Sequence, residues 1–223
     1  EREKILGRVR EALSIKGARP GHAISQSLEP GGSGGARRWL PRAGEDFDSR
    51  LALFEKNSAA LKTVFCLLRN ETELETQLKE LRDREGWKKI GAHTGELTGR
   101  AARALGLPVC STDSSYAVRE LEACSAGITE CDALIAQTGS VLITSASAGG
   151  RALSALPPHH VVLARRQQLI ADLPDAFALL KQRYENNYPS FISLVTGPSR
   201  TGDIERILVL GAHGPKSLTI FCL

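Results

Sequence analysis

Apolar residues recur along this chain first at helical spacing and then, repeatedly, as short runs between helices. Residues 1–13 place Ile5, Leu6, Val9 and Leu13 three and four apart, which predicts one apolar face on an N-terminal helix. The pattern then stops. Residues 17–44 carry Gly17, Pro20, Gly21, Pro30, Gly31, Gly32, Gly34, Gly35, Pro41 and Gly44 with hardly any apolar cluster, the composition of a mobile loop or linker. Residues 1–46 are therefore expected to be a helix followed by a flexible Gly/Pro-rich loop, and 47–223 the main domain.

Within that domain Asp48 is placed to cap a helix whose stripe is Leu51, Phe54, Ala59 and Leu61, and the run 63–68 reads as a strand. Asn70 and Glu73 have the spacing of a capping box ahead of Leu74, Leu78 and Leu81. A strand is expected within 87–92, a helix over 97–105 and a short extended piece at 109–111, while 116–123 fits either state. Residues 130–137 look helical between extended segments at 127–129 and 140–145. A strand at 161–164 and a helix over 173–184, introduced by Asp172 and Pro174, precede strands at 191–196, 206–210 and 218–223.

Strands that alternate with helices and read as continuous apolar runs predict an α/β fold with a mainly parallel sheet flanked by helices. The last two strands are joined only by a loop, so one antiparallel edge is expected. In such sheets a ligand lies beyond the carboxyl ends of the strands, which directs attention to particular loops.

Composition narrows the classes. A chain of 223 residues can bury roughly 70% of its unfolded surface, so a core forms without disulfides or metal. The net charge of +4 is spread along the chain and aromatics make up 5%, which argues against nucleic-acid binding. No stretch approaches the roughly 20 apolar residues of a membrane span and residues 1–13 carry no apolar signal core, so the cytoplasm is the expected compartment. Cys66, Cys110, Cys124, Cys131 and Cys222 are an odd number at scattered spacings and read as reduced, packed thiols. There is no Met, even at the start, which leaves open residues ahead of Glu1 in the natural product.

Three loops offer chemistry. In the first, Thr129 and Glu130 lead to Thr138, Gly139 and Ser140, where two hydroxyls flank a glycine that lets a backbone amide approach a ligand. Read locally, the same stretch is a helix capped by Thr129 and ended by Gly139. In the second, Gly197, Ser199, Arg200, Thr201, Asp203 and Glu205 combine hydroxyls, carboxylates and a guanidinium able to bind a carboxylate or phosphate in two parallel hydrogen bonds. The local alternative is a Gly-Pro turn in which Asp203 pairs with Arg200. In the third, His213 and Lys216 stand among Gly211, Gly214 and Pro215; the imidazole suits acid–base work or fixes the loop, and nothing near it gives metal-ligand spacing. Thr138, Gly139, Ser199, Arg200, Asp203 and His213 are expected to converge on one cleft. Weaker candidates are Gly149, Gly150 and Arg151, and the pair His159 and His160, whose neighbouring side chains would point to opposite faces of a strand. No dinucleotide fingerprint, Walker A loop, nucleophile elbow or iron–sulfur cysteine run is present, which disfavours a self-sufficient redox enzyme.

Three ordered blocks, Gly127-Ile128-Thr129 through Thr138-Gly139-Ser140, Gly197-Pro198-Ser199-Arg200-Thr201-Gly202-Asp203-Ile204-Glu205 and Gly211-Ala212-His213-Gly214-Pro215-Lys216, resemble the signature of the lactate-utilization (LUD) domain family. The resemblance spans roughly 47–223 and is strongest after Gly127. Ser140 departs from the family's usual Thr but keeps the hydroxyl, and Gly202 stands where a side chain is common. What the resemblance implies is a fold of the NagB/RpiA/CoA-transferase-like type. It also implies a place in a three-protein system converting L-lactate to pyruvate, whose two companions are iron–sulfur proteins. This chain would be the component without a redox cofactor, binding substrate, product or partner; a small anionic ligand is expected, and no cofactor or metal. The other function open to such a fold is an independent enzyme or binding module for an acyl, phosphosugar or folate-like ligand.

Overall fold

The computed structural model describes residues 2–14, 43–113, 115–185, 187–201, 209–211 and 213–223. The expected loop over 17–44 lies outside them, apart from its last two residues. The chain divides into two units, Glu1–Leu40 and Pro41–Leu223. In the first, α1 (Arg2–Ser14) is the N-terminal helix, and it leaves Ile5 58% exposed.

In the second unit, α2 (Phe47–Ala60) starts two residues earlier than the sequence suggested. Asp46 is its cap, accepting from the Ser49 backbone N at 2.8 Å, and Asp48 sits in the first turn, where a negative charge favours the helix dipole. After β1 (Val64–Leu67), the expected capping signal opens α3 (Glu71–Glu85): Asn70 accepts from Glu73 N at 2.9 Å, while the Glu73 carboxylate accepts from Arg69 N at 2.8 Å. Leu74, Leu78 and Leu81 form its buried stripe. The chain continues through β2 (Ile90–Ala92), α4 (Glu96–Leu105), β3 (Val109–Ser111), α5 (Val118–Glu122) and β4 (Ala126–Glu130). Then follow β5 (Ala133–Ile135), β6 (Ser140–Thr144), β7 (His159–Ala164), a 3-10 turn at Arg166–Gln168, and β8 (Leu169–Ile170). α6 (Leu173–Tyr184), β9 (Ile192–Val195), β10 (Arg200–Thr201), β11 (Val209–Leu210) and β12 (Ser217–Cys222) complete it.

Six strands pair in parallel in the order β1-β12-β7-β4-β2-β3, so the fold is α/β around a parallel sheet. Along β7, Val161 and Leu163 join the core beneath α3 and α4, whereas Val162 and Ala164 join the core shared with Phe54 of α2 and with Leu134, Val141 and Ile143. Burial on both faces is why these strands read as continuous apolar runs.

Two expectations are corrected. Residues 130–137 are not a helix: β4 ends at Glu130, β5 follows, and 136–139 is the turn into β6, which pairs antiparallel with β5. Leu134 packs toward the large sheet and Ile135 toward α6, so both neighbours are buried and the alternation that marks a strand is erased. Thr129 accordingly caps no helix. Second, the last strand does not pair with its predecessor: β12 lies between β1 and β7 in the parallel sheet, and the antiparallel pairings belong to a separate sheet, β8-β5-β6-β9, and to the hairpin β10-β11. That small sheet carries α6 on its outer face through Ala133, Ile135, Leu142, Ala176 and Leu180.

Candidate functional site

From β2 the chain moves outward to β3, and from β4 it moves the other way to β7, so the strand order reverses between β2 and β4. That reversal opens a crevice at their carboxyl ends. The residues leaving β2 are His93, Thr94 and Gly95, and α4 begins immediately after them. Gly95 occupies the cap position with no side chain to offer, and a carboxylate from the neighbouring strand does the work instead. Glu130 Oε1 accepts from Leu97 N at 2.9 Å, Thr98 N at 3.2 Å and Thr98 Oγ1 at 3.4 Å. A Cβ on Gly95 would run into that carboxylate, so the glycine is what admits it. The charge also meets the positive end of the α4 dipole.

Around this contact the polar groups are ordered. The Glu130 backbone N donates to His93 Nε2 at 3.4 Å while His93 Nδ1 lies 3.2 Å from the Thr94 carbonyl, and both bonds are met by a ring protonated on Nδ1 alone. Asp113, beyond β3, accepts from Thr94 N at 2.6 Å, Thr94 Oγ1 at 2.8 Å and Ser111 Oγ at 3.2 Å. Burial works against its charge, yet these bonds outweigh it and hold the Asp113 carboxyl below its usual range. Arg165, beyond β7, pairs with Glu96 at 2.7 Å.

A loop following β6 closes the crevice from above. Gly149, at φ 61°, lies so close to the His93 ring that a Cβ would collide with it and would stand 2.8 Å from Thr112 Oγ1, a buried hydroxyl with no hydrogen-bond partner. Asp132, 2% exposed, anchors this loop. Its carboxylate accepts from Ser147 Oγ at 2.6 Å, Arg183 Nη1 at 2.5 Å and Tyr184 OH at 2.8 Å, tying the turn after β6 to the end of α6. The crevice thus offers the His93 imidazole, the carboxylates of Glu130, Asp113 and Glu96, hydroxyls and the Arg165 guanidinium, a set suited to hydrogen bonding and proton transfer.

Most residues selected from the sequence lie elsewhere. Ser140 Oγ meets Thr196 Oγ1 at 2.8 Å, which joins the 138–140 turn to the loop after β9. Gly139, at φ 63°, packs on α2, where a Cβ would stand 2.7 Å from Ser58 N, and Asn57 Nδ2 donates to the carbonyls of Ala136 and Gln137 at 2.9 Å each. The buried Thr138 hydroxyl has no partner. Gly197, at φ 81°, abuts the Leu61 carbonyl. Arg200 is exposed, with Nη2 3.5 Å from the Thr196 carbonyl. Thr201 pairs with Val209, Ser199 N donates to the Pro215 carbonyl at 2.9 Å, and Lys216 N donates to the Pro158 carbonyl at 2.7 Å; His213 and Lys216 are exposed. Asp203 and Glu205 lie outside the described residues.

Because Lys216 and Pro158 immediately precede β12 and β7, this second cluster sits at the amino edge of the parallel sheet, opposite the crevice. Thr138, Gly139, Ser140, Gly197, Ser199, Arg200, Thr201, His213 and Lys216 thus fall in segments grouped at the amino edge. Glu130 is apart from them at the carboxyl edge, and Thr129 is buried in the sheet with Oγ1 2.9 Å from His160 Nε2. The amino-edge loops follow β5, β9 and β11, strands outside the six-stranded parallel sheet, so the carboxyl-end rule does not govern them. His93, Thr94, Gly95, Asp113 and Asp132 are not among the residues expected from the sequence. A Thr-Gly step between an expected strand at 87–92 and an expected helix at 97–105 was the available signal for the first three.

His159 and His160 point to opposite faces of β7: His159 stands edge-on to Trp87 at 5.3 Å and bonds Thr219 Oγ1 at 2.9 Å, while His160 faces Thr129. A groove of about 220 Å³ between α6 and β9 is lined by Leu142, Phe177, Leu180, Ile192 and Leu194, with Ser193 its one hydroxyl, and contains none of the selected residues. Among the described residues, no three His, Cys, Asp or Glu side chains converge as metal ligands would, and no helix is long and apolar enough to cross a membrane.

The chain is similar to known proteins along most of its length. The sequence profile of the LUD domain matches residues 51–223. A protein named "Lactate utilization protein C" from Shouchella clausii is 29% identical over 217 residues, 94% of this chain and 89% of its own length. Proteins of the same name from Geobacillus sp. and Bacillus subtilis are 34% and 31% identical over 100 and 115 residues, spans that cover 42% and 48% of their lengths and 44% and 49% of this chain. A crystal structure of a DUF162 family protein from Deinococcus radiodurans superposes with a TM-score of 0.62 at 17% identity, covering 80% of this chain and 99% of that one, and so shares its fold.

Proposed function

We propose a role in lactate utilization for this chain, which belongs to the LUD domain family. The observation that carries this reading is the match along nearly its whole length to a relative named for lactate utilization. Within that role, the chain serves L-lactate oxidation to pyruvate as the non-redox component of a three-protein system whose two companions hold iron–sulfur clusters. Removing two electrons from a hydroxy acid requires an acceptor such as a nicotinamide, a flavin or a metal cluster, and the companions supply it in this scheme.

The ligand site in this reading is the carboxyl-edge crevice. A 2-hydroxy acid carries a hydroxyl and a carboxylate; Glu130 and Asp113 are acceptors for the first, and Arg165 is a guanidinium for the second. Deleting the gene in a strain with no other lactate dehydrogenase tests the role. Growth on L-lactate as sole carbon source is expected to stop, and to return when the wild-type gene is restored; undiminished growth of the deletion strain overturns it. Thermal shift of the purified protein with L-lactate or pyruvate tests the site, since a ligand that binds only the folded state raises its apparent stability.

A further inference from the structure

Behind the crevice, on the face of the sheet covered by α5, the strands carry an opening for other side chains. Gly91 of β2 stands in register between Cys110 of β3 and Gly127 of β4. A Cβ on Gly91 would strike the Leu121 and Leu153 side chains, and one on Gly127 would strike the Leu153 carbonyl, so the two bare positions form a trough that these leucines fill. The trough is completed by Cys110 and Cys124, which pack with Leu121 and Leu153 in one cluster bordered by Tyr116 and Ala152. Cys110 points inward from an edge strand whose neighbours Val109 and Ser111 face solvent, and Cys124 sits at the end of the crossover helix that brings the chain back beneath that strand. The two thiols share that one small cluster, and the Cys124 thiol donates to the Glu120 carbonyl at 3.3 Å.

We infer that Cys110 and Cys124 are an oxidisable pair that closes to a disulfide across the β3–α5–β4 crossover when the protein meets a peroxide. Cys110, 8% exposed against 1% for Cys124, is the sulfur that the oxidant reaches. Its thiolate attacks hydrogen peroxide, the O–O bond breaks, and a sulfenic acid and water result. The Cys124 sulfur then attacks the Cys110 sulfur, the S–O bond breaks, and a second water leaves with the thiol proton. Two thiols are thereby oxidised by two electrons and one peroxide is reduced to two waters. The remaining cysteines are placed differently. Cys66 borders the core beneath α3, and Cys131 and Cys222 are buried in the core on the other face of the sheet.

The bond would matter for the crevice because Cys110 is followed by Ser111 and Asp113, the residues that fasten Thr94 at its mouth. Linking them to α5 stiffens the outer wall of the site. Burial, and then the adjacent Cys110, push the Cys124 thiol up to about 11, so closure is slow and quickens as pH rises and more of the sulfur is thiolate.

The test uses the full chain, reduced, desalted and treated with a small excess of hydrogen peroxide. Thiol titration after denaturation is expected to fall from five to three. The intact mass should drop by two hydrogens, non-reducing peptide mapping should join the peptides holding Cys110 and Cys124, and amide exchange over 110–113 should slow. Cys124→Ser should instead leave a sulfenic acid on Cys110 that dimedone traps. Five thiols remaining after treatment, or a link formed through Cys66, Cys131 or Cys222, overturns the assignment. The mapping is done on wild type, so it stands even where a variant folds poorly.

Discussion

The two edges of the six-stranded sheet use the same residue types to opposite ends. At the amino edge, Gly139 and Gly197 adopt positive φ so that backbone meets backbone: Ser58 N lies where a Cβ on one would go, and the Leu61 carbonyl where a Cβ on the other would go. The loops there are consumed in joining α2 to the small sheet. At the carboxyl edge, Gly95 and Gly149 make room for polar side chains, the Glu130 carboxylate and the His93 ring. A glycine against backbone is a packing joint, whereas a glycine against an imidazole or a carboxylate helps to build a place where chemistry can happen. Loop composition alone does not separate the two cases.

Between the edges, the largest expected effect belongs to His160. Burial, with a smaller contribution from neighbouring His159, pushes its ring down from 6.5 to about 3. The unfolded chain takes up this proton near pH 6.5 and the folded chain only near pH 3, so protons favour unfolding throughout that window. The stability contributed by keeping the ring neutral is complete above pH 6.5 and is lost as pH falls toward 3, at roughly 1.4 kcal/mol per pH unit. Urea melts across that range should show this slope in wild type and a shallower one in His160→Gln. Parallel slopes would mean that His160 titrates normally.

Next comes the amino-edge joint. Gly139→Ala asks a residue with a Cβ to hold φ 63° against the backbone of Asn57 and Ser58, with a cost of about 3 kcal/mol from strain and overpacking together. The same change at Gly106, whose φ of 62° is matched but whose Cβ would meet open space, isolates the strain and should cost less. Equal losses in chemical denaturation would show that the turn over 136–139 is not seated on α2.

How much of this was legible in the sequence follows from the range over which each force acts. Caps and helical stripes are local, so α3, α4 and α6 were readable from Asn70 with Glu73, from Leu97 onward, and from Asp172 with Pro174. The strand at β5 was not, because its burial on two sides depends on α6 and the large sheet, neither of which its own three residues encode. The position of β12 between β1 and β7 is a matter of long-range pairing that no local pattern specifies. Of the crevice, Glu130 was picked out for lying in a polar loop. Its role as the cap of a helix that starts 34 residues earlier, at Glu96, comes from strand order alone. Asp132 escaped notice for the same reason, since Arg183 and Tyr184 reach it from 51 and 52 residues away.

A smaller effect is expected at that carboxylate. Glu130→Ala removes the acceptor for Leu97 N and Thr98 N where Gly95 cannot replace it, at a cost of about 1 kcal/mol, in line with loss of an ordinary helix cap. Glu130→Gln retains an acceptor oxygen and should recover part of the loss in a thermal melt. An Ala variant as stable as wild type would mean that α4 is held without this cap.

The smallest change in stability, and the sharpest division between the edges, is expected from Arg200→Ala. The guanidinium is exposed and its one described hydrogen bond is long, 3.5 Å to the Thr196 carbonyl, so folding should change by no more than about 0.5 kcal/mol. Ligand binding is where the two edges part. With the crevice as the site, the thermal shift produced by L-lactate or pyruvate is expected to be the same in Arg200→Ala as in wild type, and to shrink in Arg165→Ala and in Glu130→Gln. Had Arg200 been the anchor for a carboxylate, its removal would instead cost roughly 1.5–3 kcal/mol of binding, the weight of a hydrogen bond to a charged group, or about tenfold or more in affinity. A shift abolished by Arg200→Ala and untouched by the crevice variants would move the ligand to the amino edge, and the glycines there would have to be reread as a cradle.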